Sequence, residues 1–211
     1  MKQGIKIGTV ALLWLLLSTM SSVQAQSAGD IDTLSEWRVD FEWYDAYYTT
    51  YKFYRFYISG DTVINSKDYY KVYLSGYWYD DYGSPPYVFH YYNHELSNMI
   101  REEDDKWYVR SGVDKLLYDY RMEVGDTVNS SANAMGDIIT VDSIDEILID
   151  GEWKKRFHLQ LHCSFCGGAE YIIEDIGATT GLFNHLTYYD TYSELICFAK
   201  DGVSLWGAST E

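Results

Sequence analysis

From residue 36 to residue 206 apolar and polar side chains change places in short, two-residue steps. Phe157, Leu159, Leu161 and Cys163 alternate with His158, Gln160 and His162, and Tyr70, Val72 and Leu74 alternate with Tyr69, Lys71 and Tyr73. Successive side chains of a strand point to opposite sides, so this period places one face of each run in a core. The pattern predicts strands near 36–45, 51–59, 69–79, 86–92, 97–103, 106–110, 115–121, 138–149, 153–163, 169–174, 194–199 and 202–206. Glu103-Asp104-Asp105-Lys106, Asp150-Gly151-Glu152 and Asp201-Gly202 sit between such runs as hairpin turns. No apolar stripe of helical period is sustained anywhere in this stretch. Short links between strands imply an antiparallel meander. The fold class is therefore all-β, with about 10 to 12 strands forming a closed or folded-over sheet, barrel or sandwich-like, in one domain over residues 26–211.

The first 25 residues follow a different rule. Lys2 and Lys6 precede an unbroken apolar run from Thr9 to Met20, and Ser21 to Ala25 follow with compact Val23 and Ala25. This is the order of a cleavable signal peptide, and the apolar run is shorter than the roughly 20 residues a membrane span needs. The mature chain is expected to start at Gln26 and to be exported to the periplasm or the extracellular space, without membrane insertion.

Charge narrows the partners. The chain has 16 basic and 32 acidic residues. Losing Lys2 and Lys6 leaves 14 basic residues and a net charge of −18. Such a surface repels nucleic acid and anionic lipid heads, because the phosphate attraction that dominates their binding changes sign. Aromatics change the picture more. There are 22 Tyr, 7 Trp and 8 Phe but only 2 Pro, a composition of strands rather than of a disordered acidic tail. Tyrosine suits half-buried strand positions, where the ring packs and the hydroxyl reaches water.

One tetrapeptide recurs: Gly60-Asp61-Thr62-Val63 returns as Gly125-Asp126-Thr127-Val128. Each copy reads as a turn in which Asp accepts backbone amides, and the pair suggests two related sheet halves. Around these copies lie Ile64, Tyr70-Lys71-Val72-Tyr73, Ile100-Arg101-Glu102-Glu103-Asp104, Trp107-Tyr108-Val109 and Leu116-Leu117-Tyr118-Asp119-Tyr120. Val124, Ile173-Glu174-Asp175-Ile176-Gly177, Gly181-Leu182 and Leu195-Ile196-Cys197-Phe198 continue the series. In this order, over residues 55 to 206, the chain resembles the β-rich domain of secreted Bacteroidetes proteins that often precedes a type IX secretion sorting tail. Such domains usually carry Glu-Gly-Ile-Gly where this chain has Glu174-Asp175-Ile176-Gly177. No sorting tail is read after Trp206, and type IX secretion is not implied. The family brings no assigned catalytic residues; it implies export and a β fold.

Candidate chemistry is sparse. Glu102 to Asp105 and Glu174-Asp175 supply carboxylates, but a glycosidase needs two of them facing across a cleft, and acidic turns account for these. Glu174 is expected to accept amide hydrogen bonds from the loop that follows. His90 and His94, like His158 and His162, are four residues apart, which on a strand is about 13 Å, too far to share an ion. No cofactor is implied. Cys163 and Cys166 flank a turn of disulfide span, with a Cys163–Cys197 bridge as the rival; in the first pairing Cys197 is a buried free thiol. The stronger lead is the aromatic set Tyr77, Trp78, Tyr79, Tyr82 and Tyr87 around Pro85-Pro86, part of which alternation must turn outward. The expected function is non-enzymatic binding of a glycan or a protein partner through these strands. The alternatives are a carbohydrate-active hydrolase and a lipocalin-like barrel for a small ligand. Intact mass of the exported protein is predicted to match a start at Gln26; retention of Met1 to Ala25 would contradict the export reading.

Overall fold

A computed structural model describes residues 31–133, 137–163 and 166–207. The export segment and its processing point lie outside these residues, as do Ser164 and Phe165. The described residues are all-β, without helix. Six strands run in a meander: β1 (Ser35–Tyr44), β2 (Thr49–Ile64), β3 (Lys67–Asp81), β4 (His90–Glu102), β5 (Lys106–Ser111) and β6 (Val113–Asp119). Then come β7 (Ile139–Ile149), β8 (Glu152–Leu161), β9 (Gly167–Gly168), β10 (Tyr171–Ile173), β11 (Gly177–Ala178) and β12 (Thr187–Tyr188). The last two, β13 (Thr191–Lys200) and β14 (Val203–Gly207), return beside β1. The main antiparallel sheet has the order β14-β13-β1-β2-β3-β4-β5-β6 and curls like half a barrel, with β14 and β6 as its two edges. A four-stranded sheet, β11-β10-β8-β7, and the β12-β9 pair complete the fold. Of the two forms expected, the sheet takes the folded-over one.

Four hairpins turn on two residues with positive φ, the geometry that matches strand twist. They are Asn65-Ser66, Asp104-Asp105, Asp150-Gly151 and Asp201-Gly202. Three stand where the sequence put them. The exception is Gly60 to Val63, expected as a turn, through which β2 continues to Ile64. Gly60 (φ 81°) forms a bulge there, and the register shifts between Ile58 and Asp61. The second copy is a loop: the Glu123 N–H donates to the Asp126 carboxylate (2.9 Å), and Thr127 bridges to Thr140. One tetrapeptide thus serves two local structures, and the repeat does not mark related halves. The strands expected at 86–92 and 97–103 are a single strand, β4, which begins only at His90, beyond two prolines poorly suited to a ladder.

The inner face of the main sheet buries Trp37, Val39, Phe56, Val72, Ile100 and Trp107 against Ile139, Val141, Phe157, Ile172, Ile173 and Ile176. Trp37 is fully enclosed and donates its indole N–H to the Ile176 carbonyl (2.7 Å). The turn leading there closes with Asp175 at φ 62°, and Lys154 pairs with the Asp175 carboxylate at 2.7 Å. Glu174 accepts the Lys155 amide (3.0 Å). At Gly177 (φ 101°) a Cβ would stand 2.9 Å from the Tyr118 ring, so only glycine lets this loop close on the core. Cys163 and Cys166 form a disulfide with Cα atoms 5.8 Å apart, and Cys197 is free and buried.

Tyr69 departs from the simple alternation. It belongs to the outer face yet is buried, because a polar cluster covers it. Its hydroxyl donates to Asp114 (2.8 Å), which also receives Arg101 Nε (2.9 Å) and an Arg110 nitrogen (3.0 Å). Partial burial opposes the Asp114 charge, but hydrogen bonds from Arg101, Tyr69 and Arg110 outweigh it and hold the carboxyl at about 2, below its ordinary 3.8. A depressed carboxyl stabilises the fold above its unfolded value and loses that contribution as pH falls towards the folded one. Asp114→Asn should therefore cost about 2 kcal/mol at neutral pH and much less near pH 2. Urea midpoints at the two pH values check this; equal wild-type and variant midpoints at neutral pH would contradict it.

Candidate functional site

Pairing fixes which outward side chains meet. Asp40 of β1 lies opposite Phe53 of β2, and Phe53 lies opposite Tyr77 of β3. Two residues along, Arg38 faces Arg55, and Arg55 faces Ser75. These two rows stand side by side on the face turned away from the core. At one end the β1–β13 register shifts between Arg38 and Val39, leaving Ile196 as the extra residue. At the other end the β3–β4 register shifts between Leu74 and Gly76. Bulges at both ends bend the sheet locally, and the rows part into a groove of about 400 Å³. One bank is Asp40, Phe53 and Tyr77; the other is Arg38, Arg55 and Ser75. Crossing from β13 to β3 covers three strand spacings, about 14 Å.

The floor depends on glycine. A Cβ on Gly76 (φ 150°) would collide with the Phe53 carbonyl oxygen and lie 2.6 Å from Tyr54 Cα. Tyr54 also contributes to the floor, while its hydroxyl meets Asn184 at 3.2 Å.

The banks differ electrically. Glu36 bridges both guanidiniums, Arg38 Nε at 2.9 Å and Arg55 at 3.0 Å, and Arg55 also lies 5.1 Å over the Tyr57 ring. Opposite them, Asp40 receives no hydrogen bond and no ion pair among the described residues. Its neighbours are acids: Glu194 directly across β13, and Glu42 two residues along β1. Those two carboxylates accept tyrosine hydroxyls, Tyr192 to Glu194 at 2.5 Å and Tyr44 to Glu42. Burial first, then the Glu194 and Glu42 charges, push the Asp40 carboxyl above its ordinary 3.8.

Beside the groove the rings form cross-strand ladders. Phe53 and Tyr77 have centroids 5.2 Å apart, and Tyr51 and Tyr79 stack at 5.3 Å. Tyr79 also meets Tyr87 at 5.2 Å and Phe89 at 5.1 Å. The structure thus gathers Tyr77, Tyr79 and Tyr87 on the outer face. It does not bring the other two sequence candidates there. Trp78 follows alternation to the opposite face and stacks on His90 (4.0 Å, 13°), and Tyr82 packs on Tyr48 at 5.1 Å. The other histidines of the two spaced pairs have local tasks: His94 stacks on Tyr73 at 4.0 Å, His158 lies 3.2 Å from Asp145, and His162 meets Thr140 at 2.9 Å. Among the described residues no cluster of His, Cys, Asp or Glu could hold a metal ion.

Sequence reasoning passed over Arg38, Asp40, Phe53, Arg55, Ser75 and Gly76. The alternating run Glu36-x-Arg38-x-Asp40-x-Glu42 was the available signal, since it sets charge on one face of a strand otherwise filled with aromatics. No family model, no curated protein and no solved structure matches this chain.

A carboxyl whose pKa is raised on folding binds its proton more tightly in the native state, so the native state loses stability as pH climbs through that window. Asp40→Asn is therefore predicted to melt higher than wild type at neutral pH, with the gain gone near pH 3. A variant melting at or below wild type at neutral pH would contradict the like-charge account of this residue.

Proposed function

We propose that the chain is an exported binding domain whose ligand is a linear, uncharged oligosaccharide lying across β13, β1, β2 and β3. The groove carries this reading. One bank offers the rings of Phe53 and Tyr77 for the apolar faces of sugars, and both banks offer hydrogen-bonding groups for hydroxyls. Hydroxyls donate and accept, which suits a slot with guanidinium and hydroxyl donors on one side and a carboxylate acceptor on the other. Arg38 and Arg55 pair with Glu36, and Asp40, Glu42 and Glu194 stand beside them, so the slot carries no net positive charge within a chain of net charge −16. A polyanionic glycan would meet general repulsion. Binding rather than cleavage is supported by the lining: Asp40 is the sole carboxylate among the described groove residues, and glycoside hydrolysis ordinarily uses two. The resemblance to secreted β-rich domains agrees with an exported location.

The test is calorimetric titration of the exported chain with cellohexaose, xylohexaose, mannohexaose, maltohexaose and chitohexaose, each sugar being recovered and sized afterwards. At least one should bind and return uncut. Central aromatic contacts are worth about 2 kcal/mol or more, so Tyr77→Ala should weaken that sugar about 30-fold. Trp78→Ala, on the opposite face, should leave the affinity within about twofold. Failure of all five sugars to bind, or full affinity in the Tyr77 variant, would overturn the proposal.

A further inference from the structure

The carboxylates in and around the groove are not equivalent. Glu36 is committed to two guanidiniums, Glu42 to the Tyr44 hydroxyl and Glu194 to the Tyr192 hydroxyl. Asp40 alone stands in the groove wall with its carboxylate turned to no donor among the described residues. It sits opposite Glu194, a like-charge juxtaposition across neighbouring strands that costs stability and has no compensating cation in the pair. We infer that Asp40 is the specificity-determining contact of the groove, the acceptor for the hydroxyl hydrogens of the bound sugar, and that its protonation as pH falls releases the ligand. This inference rests on the oligosaccharide reading.

The chemistry follows from the acceptor inventory. An ionised carboxylate only accepts, with about four lone-pair sites, and hydrogen bonds to it are the stronger, charge-assisted kind. A protonated one keeps part of that capacity and adds a donor that points into a slot already furnished with donors from Arg55 and Ser75. The groups facing Asp40 set where this happens. On its own strand they are Arg38 and Glu42; from β13 they are Glu194 and, diagonally, Tyr192; from β2 they are Phe53 directly opposite, with Tyr51 and Arg55 on the diagonals. The two acids and partial burial together favour the protonated form, in agreement with the upward displacement of the carboxyl described above. Removing Glu194 removes the charge directly opposite and should move the transition to lower pH.

The experiment takes whichever of the five hexasaccharides binds tightest near pH 7.5 and titrates it from about pH 4 to about pH 8 against wild type, Asp40→Asn and Glu194→Gln. Wild type should lose at least tenfold in affinity on acidification, with its midpoint above the ordinary aspartate range. Asp40→Asn, similar in shape and predicted to fold stably, should bind at least tenfold more weakly near pH 7.5 and show no such fall. Glu194→Gln should keep the neutral affinity and show its fall at lower pH. An Asp40→Asn variant that matches wild type at every pH, or that retains the acid fall, overturns the inference while leaving oligosaccharide binding intact. If wild type binds none of the sugars near pH 7.5, the functional reading fails and this inference falls with it.

Discussion

The seating of Trp37 governs what the rest of this molecule can present. Its side chain is enclosed between the two sheets and its N–H is anchored on the Ile176 carbonyl, so β1 has no freedom to slip by one residue. Strand side chains alternate strictly, and a slip of one would carry every outward group inward. With Trp37 and Val39 fixed in the core, Glu36, Arg38, Asp40 and Glu42 have to face solvent. Pairing with β2 and β3 then brings Phe53, Arg55, Ser75 and Tyr77 alongside them. The groove is in this sense a consequence of core packing on the far side of the same strands.

The cost of the site is visible in its local violations of ordinary sheet rules. Asp40 and Glu194 face each other with like charge, Gly76 weakens β3 where a side chain would pack, and two bulges interrupt the ladders. At the opposite end of the same sheet the buried charge is compensated. There Arg101, Arg110 and Tyr69 satisfy Asp114 completely enough to hold its carboxyl at about 2, well below the ordinary value. One end of the outer face is thus closed and compensated, and the other keeps an uncompensated acceptor in an open groove. Departures of this kind gather where function outweighs local stability.

Much of the fold could be read from the sequence because period-two alternation and Asp-Gly or Asp-Asp turns act locally. Phe157 to Cys163 and the hairpins at 104, 150 and 201 are of that sort. What resisted reading depends on partners distant in the chain. Gly60 bulges rather than turns because β3 continues the ladder past it to Lys67, something residues 60–63 do not encode alone. Tyr69 is buried through Arg101, Arg110 and Asp114, which lie 32 to 45 positions away. The density of rings at 77–82 drew attention to a cluster that alternation splits, sending Trp78 to one face and Tyr77 and Tyr79 to the other. The groove combines β1, β2, β3 and Ile196 of β13, and no single window of sequence contains it.

Backbone amide chemical shifts followed by NMR during titration with the tightest-binding hexasaccharide would locate the contact without any substitution. Perturbations confined to Arg38, Asp40, Phe53, Arg55, Ser75, Gly76, Tyr77 and Ile196, with Tyr69, Arg101 and Asp114 unmoved, are the predicted result. Perturbations centred instead on Trp78, Tyr82 and His90, or none at saturating sugar, would contradict a binding site on the outer face of β1, β2 and β3.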